Sequence, residues 1–301
     1  MNKYKLMTSE LITDFLYREL SNFLETKEKM PCIVNITIGE EFANKVYSRM
    51  KDRVISTRTS IKYVSVCFEK ITYEELTNYI KELNLNDEVN GIMLQLPLPD
   101  YLKEYKEEIL SAIDYRKDVD GLTKTSLDRL KNGDGALVSC TALGIDTLLK
   151  CYDIDLVSKR IAIINRSNVV GMPLYYLMGR SGAKPVICHS KTSNLKEITR
   201  ESDIVVVALN KAKYITKDYI KDNSVVVDVG VHKDDNGKIV GDVDLEDVYD
   251  KVSLITPSTK SVGPMTICML AYNAAKCLYK EEVDNLLCNA IEKIKKEIIS
   301  H

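Results

Sequence analysis

Tyr47 and Lys51 stand four residues apart in IGEEFANKVYSRMK. If that stretch is helical, the two side chains share one face. A phenol one turn from an amine can relay a proton or polarise a carbonyl beside a cleft. Lys45, Arg49 and Arg53 crowd the same run, and a solvated basic helix accounts for it as well. QLPLP at 95–99 sets an amide where a strand would end, and the prolines after it stiffen the turn and hold Gln95 in one pose. Strand ends of that kind are where open α/β sheets bind ligands. KDVDG at 117–121 places two carboxylates before a turn glycine. A carboxylate there can accept paired hydrogen bonds from an amino-pyrimidine edge. The other reading is an Asx turn, and for Asp118 it is the preferred one.

A second set lies further on. RIAIIN-RSN-VVGMP has the pattern strand, tight turn, helix, which points a helix N-terminus at a phosphate. The full G-x-G-x-x-G is absent, so an ordinary strand-to-helix turn explains it equally. The next strand ends in CHSKT, where an NAD site would place an acid for the ribose hydroxyls. Ser190, Lys191 and Thr192 offer hydroxyls and a cation instead, which suit a 2′-phosphate; a polar loop is the alternative.

The elements that must carry these residues alternate along the chain. Strand-like runs fall at 32–38, 62–68, 89–95, 160–165, 184–188, 203–209, 224–230 and 252–256. Most are apolar on both faces, as parallel strands between helices must be. Helical stretches separate them, among them FANKVYSRMKDRVIS, YEELTNYIKELN and PLPDYLKEYKEEILSAI. The fold class is therefore α/β, with two successive sets of strand–helix units. A length of 301 residues suggests about two domains. The division is expected at 1–139, completed by a C-terminal helix over 265–301, and 140–264. CTALGIDTLLKCY and MTICMLAYNAAKCLY read as the connecting helices. MTSELITDFLYRELSNFL reads as an opening helix whose apolar stripe packs back on the first domain.

Composition excludes other classes. Lys+Arg 42 against Asp+Glu 44 gives a net charge of −2, so nothing points to nucleic acid. No run is apolar enough for a signal peptide or membrane span, and a cytoplasmic protein without membrane partners is expected. Cys 8 and His 3, with no C-x-x-C pair, imply reduced structural thiols and no metal site.

In their order, these segments resemble the methylenetetrahydrofolate dehydrogenase/cyclohydrolase family: Y-x-x-x-K at 47–51, QLPLP at 95–99, KDVDGL at 117–122, CTALG at 140–144, RSNVVGMP at 166–173, HSKT at 189–192, VVVDVG at 225–230, GDVD at 241–244 and VGPMT at 262–266. The likeness runs from about residue 30 to 280. It implies an N-terminal catalytic domain and a Rossmann-type nucleotide domain, joined by two long helices with a cleft between them. It further implies oxidation of 5,10-methylenetetrahydrofolate to the methenyl form with NADP (NAD being possible), then hydrolysis to 10-formyltetrahydrofolate. The partners would be one-carbon tetrahydrofolate derivatives feeding purine biosynthesis, and the assembly a homodimer. By matching position, Lys51 would be the catalytic lysine, Tyr47 would orient the folate, Gln95 would hold Lys51, and Asp120 would anchor the pterin. Leu96 and Pro264 would border the folate. Asn165, Arg166, Ser167, Ser190, Thr192 and Val231 would meet the cofactor.

Three glycine-bearing segments of that pattern are altered. Asn165 stands in Gly-Arg-Ser, Ser258–Ser261 in Pro-Gly-Gly, and Leu209-Asn210 where Ala-x-Gly is common. Larger residues can obstruct the close backbone approach and positive φ that glycine allows. Asn tolerates the left-handed region, which softens two of the changes, and Lys260 could add a phosphate contact. The alternatives are accordingly a cyclohydrolase whose dehydrogenase activity is weak or lost, and, more remotely, a non-catalytic scaffold.

Overall fold

The structure, a computed structural model, describes residues 5–39 and 42–299; of residues 42–47 and 298–299 it describes the backbone alone. Its contacts divide the chain into two compact units. One comprises Asp14–Cys140 with Ile267–Ala290, and the other Thr141–Thr266 with the residues up to Thr13 and those from Ile291 onward.

The first unit carries most of α1 (Glu10–Glu25), then β1 (Cys32–Ile38), α2 (Phe42–Arg58), β2 (Lys62–Phe68), α3 (Tyr73–Leu85), β3 (Gly91–Leu94), α4 (Lys106–Ser111) and α5 (Lys124–Asn132). Its sheet has the parallel order β2–β1–β3, with Asn35 of β1 in register with Ser65 and Met93. The central strand CIVNITI is buried along its whole length, as a strand flanked on both sides by others and covered by helices is. Thr72 and Glu75 form a reciprocal capping box that starts α3 cleanly. The chain leaves β3 through a cis Leu96–Pro97 bond. Sequence periodicity suggests one helix over the segment that follows. Instead a 3₁₀ turn, Asp100–Tyr105, precedes α4. The two prolines cannot donate to a helical ladder, so regular structure begins only after Pro99. On α1, the Leu16 carbonyl accepts a 3.0 Å hydrogen bond from the buried Tyr272 hydroxyl, which ties the opening helix to this unit.

The second unit contains most of α6 (Cys140–Cys151), then β4 (Arg160–Ile164), α7 (Gly171–Arg180), β5 (Lys184–Cys188), α8 (Leu195–Arg200), β6 (Ile204–Val207), β7 (Val225–Asp228), β8 (His232–Lys233), β9 (Ile239–Val240), α9 (Leu245–Val248) and β10 (Leu254–Ile255). Five parallel strands run in the order β10–β7–β6–β4–β5, and β8–β9 is a separate antiparallel pair. From β4 the chain steps to one side for β5 and to the other for β6. That reversal makes the carboxyl end of β4 a topological switch point, where doubly wound sheets hold ligands. IVVV in β6 and VVVD in β7 are wholly buried. The last helix, α10 (Val262–Ile299), is broken at Lys280 (φ 38, ψ −112) and contributes residues to both units. Among the described residues, no helix is long and apolar enough to cross a membrane, and no His, Cys, Asp and Glu cluster could hold a metal.

Candidate active site

In the first unit the site is built from α2, the end of β3 and the loop before α5. Ser48, Lys51 and Ile55 form the buried face of α2, while Arg49 and Arg53 are exposed. Of the charged residues described on this helix face and its opposite, Arg49 and Arg53 are solvated and Lys51 is not. Asn35 of β1 donates to the Ser48 hydroxyl at 2.6 Å, pinning that face against the sheet. Lys51 is 5% exposed, and its Nζ donates to Gln95 Oε1 at 3.1 Å and approaches Met93 Sδ at 3.6 Å. Gln95 Nε2 donates to the Leu96 carbonyl at 3.0 Å, so the amide turns its oxygen toward the lysine. The Gln95 backbone N–H extends the β1 pairing by donating to Ile36 at 2.9 Å. Tyr47 lies on α2 one turn before Lys51, and its side chain falls outside the described residues.

The two carboxylates of KDVDG separate in role. Asp118 is buried and accepts from the Leu122 and Thr123 backbone N–H groups and the Ser126 hydroxyl at 2.7–3.1 Å. It is the turn anchor, and burial raises its pKa despite those donors. Asp120 is half-exposed and lies near the Cys140 thiol, which donates to the Val119 carbonyl at 3.2 Å. Burial first, then the Asp120 charge, pushes the Cys140 pKa well above the ordinary thiol value, with Lys51 pulling the other way. Lys51, Asp120 and Cys140 thus share one neighbourhood. Gly121 adopts φ +65, and any β-carbon there would strike the Val138–Ser139 backbone. Asn273 of α10 completes the arrangement. Its Nδ2 donates to the Val119 carbonyl at 2.8 Å and the Val138 carbonyl at 2.9 Å.

In the second unit the chain turns after β4 around Asn165. Its Oδ1 accepts from the Ser167 N–H at 2.8 Å, the Ser167 hydroxyl at 2.6 Å and the Gly171 N–H at 3.1 Å. Its Nδ2 reaches the Ala208 carbonyl at 2.8 Å. A side chain on Gly171 would collide with the Asn165 carbonyl, so strand and helix meet here at glycine distance. Arg166 is exposed beside this turn. Beyond β5, Thr192 Oγ1 accepts from the His189 N–H at 3.0 Å, folding the HSKT loop onto itself. Ser190 and Thr192 line a cavity of ≈ 510 Å³ that also meets Ile164 and Leu209, the carboxyl ends of β4 and β6. Val231 is 62% exposed after β7, and Pro264 is exposed in the first turn of α10.

Two halves of one family cover these elements. Residues 7–120 match the tetrahydrofolate dehydrogenase/cyclohydrolase catalytic domain, and residues 139–282 match the NAD(P)-binding domain of the same family. The bifunctional protein FolD of Lachnoclostridium phytofermentans is 44% identical over 271 residues, 89% of this chain and 93% of its own length. The chain belongs to the tetrahydrofolate dehydrogenase/cyclohydrolase family. Among solved structures, the Campylobacter jejuni bifunctional enzyme FolD superposes with a TM-score of 0.87 at 37% identity, covering 92% of this chain and 99% of that one. The Trypanosoma brucei enzyme complexed with NADP and an inhibitor gives 0.85 at 26% identity, over 93% and 99%.

Against that family background, the altered glycine positions take different forms. Asn210 does adopt the left-handed region, at φ 58, as does Lys260, at φ 64. Asn165 is not among the positive-φ residues; it replaces glycine by capping α7 with its own side chain. The Lys260 amine pairs with Glu10 at 3.1 Å. The cavity, its hydroxyl rim and the glycine-distance approach at Gly171 fit a dinucleotide in the second unit.

Sequence reasoning gave no role to Asn273, nor to Asp228 and Asp242, although the latter two lie in the VVVDVG and GDVD segments. Asp242 is fully buried and accepts from the N–H groups of Leu209, Asn210 and Lys211 at 2.6–3.2 Å, and its Oδ1 lies 2.8 Å from His232 Nε2. Asp228 accepts from Gly230, Asp242 and Val243 at 2.9–3.0 Å. The usable signal was a single polar residue in an apolar run, such as Asn273 in MLAYNAAKC, because a buried polar group must find partners.

Proposed function

We propose that this chain oxidises 5,10-methylenetetrahydrofolate with NADP and hydrolyses the resulting methenyl compound to 10-formyltetrahydrofolate. The observation that carries the reading is the buried Lys51 held by Gln95 at 3.1 Å. A lysine excluded from water but bonded to a fixed neutral amide is suited to orienting an attacking water and taking up or returning a proton. Asp120, only partly covered, supplies the acceptor for an amino-pyrimidine edge. Tyr47 would orient the folate from one turn away, with Leu96 and Pro264 at its border.

NADP supplies the hydride acceptor when bound. The chain's part in that step is binding and alignment. Arg166 and Ser167 at the β4 turn and Ser190 and Thr192 at the β5 loop offer the polar contacts, Asn165 shapes the turn, and Val231 borders the nicotinamide end. The division near residues 139–140 and 264–265 follows from that assignment of roles. A cytoplasmic homodimer serving purine biosynthesis completes the proposal; sedimentation of the purified chain at twice its monomer mass is its check.

Steady-state assays test the activities: NADPH formation from methylenetetrahydrofolate and decay of methenyltetrahydrofolate should both be catalysed. Hydrolysis without oxidation by NADP or NAD would select the hydrolase-only alternative, for which the relatives offer no support. Absence of both activities would overturn the reading.

A further inference from the structure

The turn after β6 is held by an unusual amount of buried polar contact. Asp242 binds three successive backbone N–H groups, those of Leu209, Asn210 and Lys211, and is itself held by His232. A buried carboxylate with several donors is costly to displace, so this turn is rigid. Asn210 takes the left-handed conformation at its centre, which fixes the direction in which the next residue leaves.

That next residue is Lys211. Its side chain lines the ≈ 510 Å³ cavity together with Tyr214, and its Nζ lies 5.0 Å from the Tyr214 ring centroid. The amine has no carboxylate partner among the described residues. Lys196, also on the cavity wall, is engaged by Asp218 at 3.4 Å and by the Tyr219 ring. The cavity therefore presents one uncommitted cation, two aromatic rings and the hydroxyls of Ser190 and Thr192. A flat base can cover an aromatic ring, and a phosphomonoester can take the cation together with a hydroxyl.

We propose that Lys211 is a specificity-determining residue that pairs with the 2′-phosphate of the cofactor, while Tyr214 forms the face against which the adenine packs. This rests on the dinucleotide reading of the second unit. Asp242 is then a positioning residue, acting through the backbone of the turn.

Fragments that carry no hydride chemistry give the test. Adenosine 2′,5′-bisphosphate, adenosine 5′-monophosphate and NADP are titrated calorimetrically into the full chain and into Lys211→Gln, Lys211→Arg and Tyr214→Ala. Wild type should bind the bisphosphate more tightly than the monophosphate. Lys211→Gln should lose about tenfold or more for the bisphosphate, as a charge-assisted contact implies, and less than about threefold for the monophosphate. Lys211→Arg should restore the preference, and Tyr214→Ala should weaken both fragments alike. Lys211→Gln binding both fragments as wild type does, or weakening both equally, overturns the proposal while leaving the dinucleotide reading intact. Failure of wild type to bind NADP and both fragments overturns the two together.

Discussion

Lys51 keeps almost no contact with water, yet its amine is bonded to an amide oxygen and a thioether. Both of these partners are neutral, and the amide oxygen fixes where the amine points. The amide is in turn fixed by the Leu96 carbonyl, a strand-end contact that the stiff QLPLP turn makes possible. Replacing Gln95 with Leu removes this acceptor and loosens the hold on the lysine. Misplacement by about 1 Å commonly costs on the order of 10²-fold, and methenyl hydrolysis by Gln95→Leu should fall by about that factor in kcat. A kcat equal to that of wild type would show that Gln95 does not position the lysine. Asp120→Asn should instead act chiefly on KM for folate, because its proposed work is anchoring, and steady-state kinetics separate the two effects.

At the scale of elements, two contacts fix where the site loops lie. Asn273 ties α10 to both the Val119 and Val138 carbonyls. Asn273→Ala strands the Val138 carbonyl and leaves Val119 only the Cys140 thiol at 3.2 Å, and unfolding by denaturant should show a loss of about 1–3 kcal/mol. Gly171→Ala pushes a β-carbon into the Asn165 carbonyl, so α7 must move away from β4. A lower Tm and weakened NADP binding are the expected results, with about 1–3 kcal/mol lost. The strands that frame these contacts were plain in the sequence. CIVNITI, KYVSVCF and KPVIC appear at the residues marked out, but only CIVNITI is buried on both faces; the other two are edge strands with exposed positions. What escaped were elements without such a pattern. The His232–Lys233 and Ile239–Val240 pair is too short to show alternation, and α5 is a polar nine-residue helix defined by its Thr123 cap and Gly133 ending. Of the candidate site, Lys51, Gln95 and Asp120 each sit in a short segment that resembles the family, although the Lys51–Gln95 contact itself spans 44 residues. Cys140 and Asn273 join them only through long-range packing, which no periodicity records.

The whole molecule carries several carboxyl groups that burial drives toward the neutral form. Asp228 is the clearest: burial, with the Asp242 charge adding to it, pushes its pKa up to about 7 against three backbone N–H donors. Its unfolded value is near 3.8, so the folded chain keeps the proton to higher pH than the unfolded chain does. The stability this gives is present in full below about 3.8 and is lost as pH rises through about 7. Asp118 and Asp146 are raised in the same direction by burial. Denaturation midpoints should therefore fall across that window, and the Asp228 carboxyl resonance should titrate near neutrality; a midpoint near 4 would remove this account of the pH dependence. The proposed function rests on the pairing of Lys51 with Gln95 in the first unit. Its most direct measurement compares wild type with Lys51→Met for methenyltetrahydrofolate hydrolysis and for equilibrium binding of a folate. Hydrolysis should drop by about 10²–10⁴ while folate affinity stays within a few-fold. Equal hydrolysis by the two proteins would contradict the account.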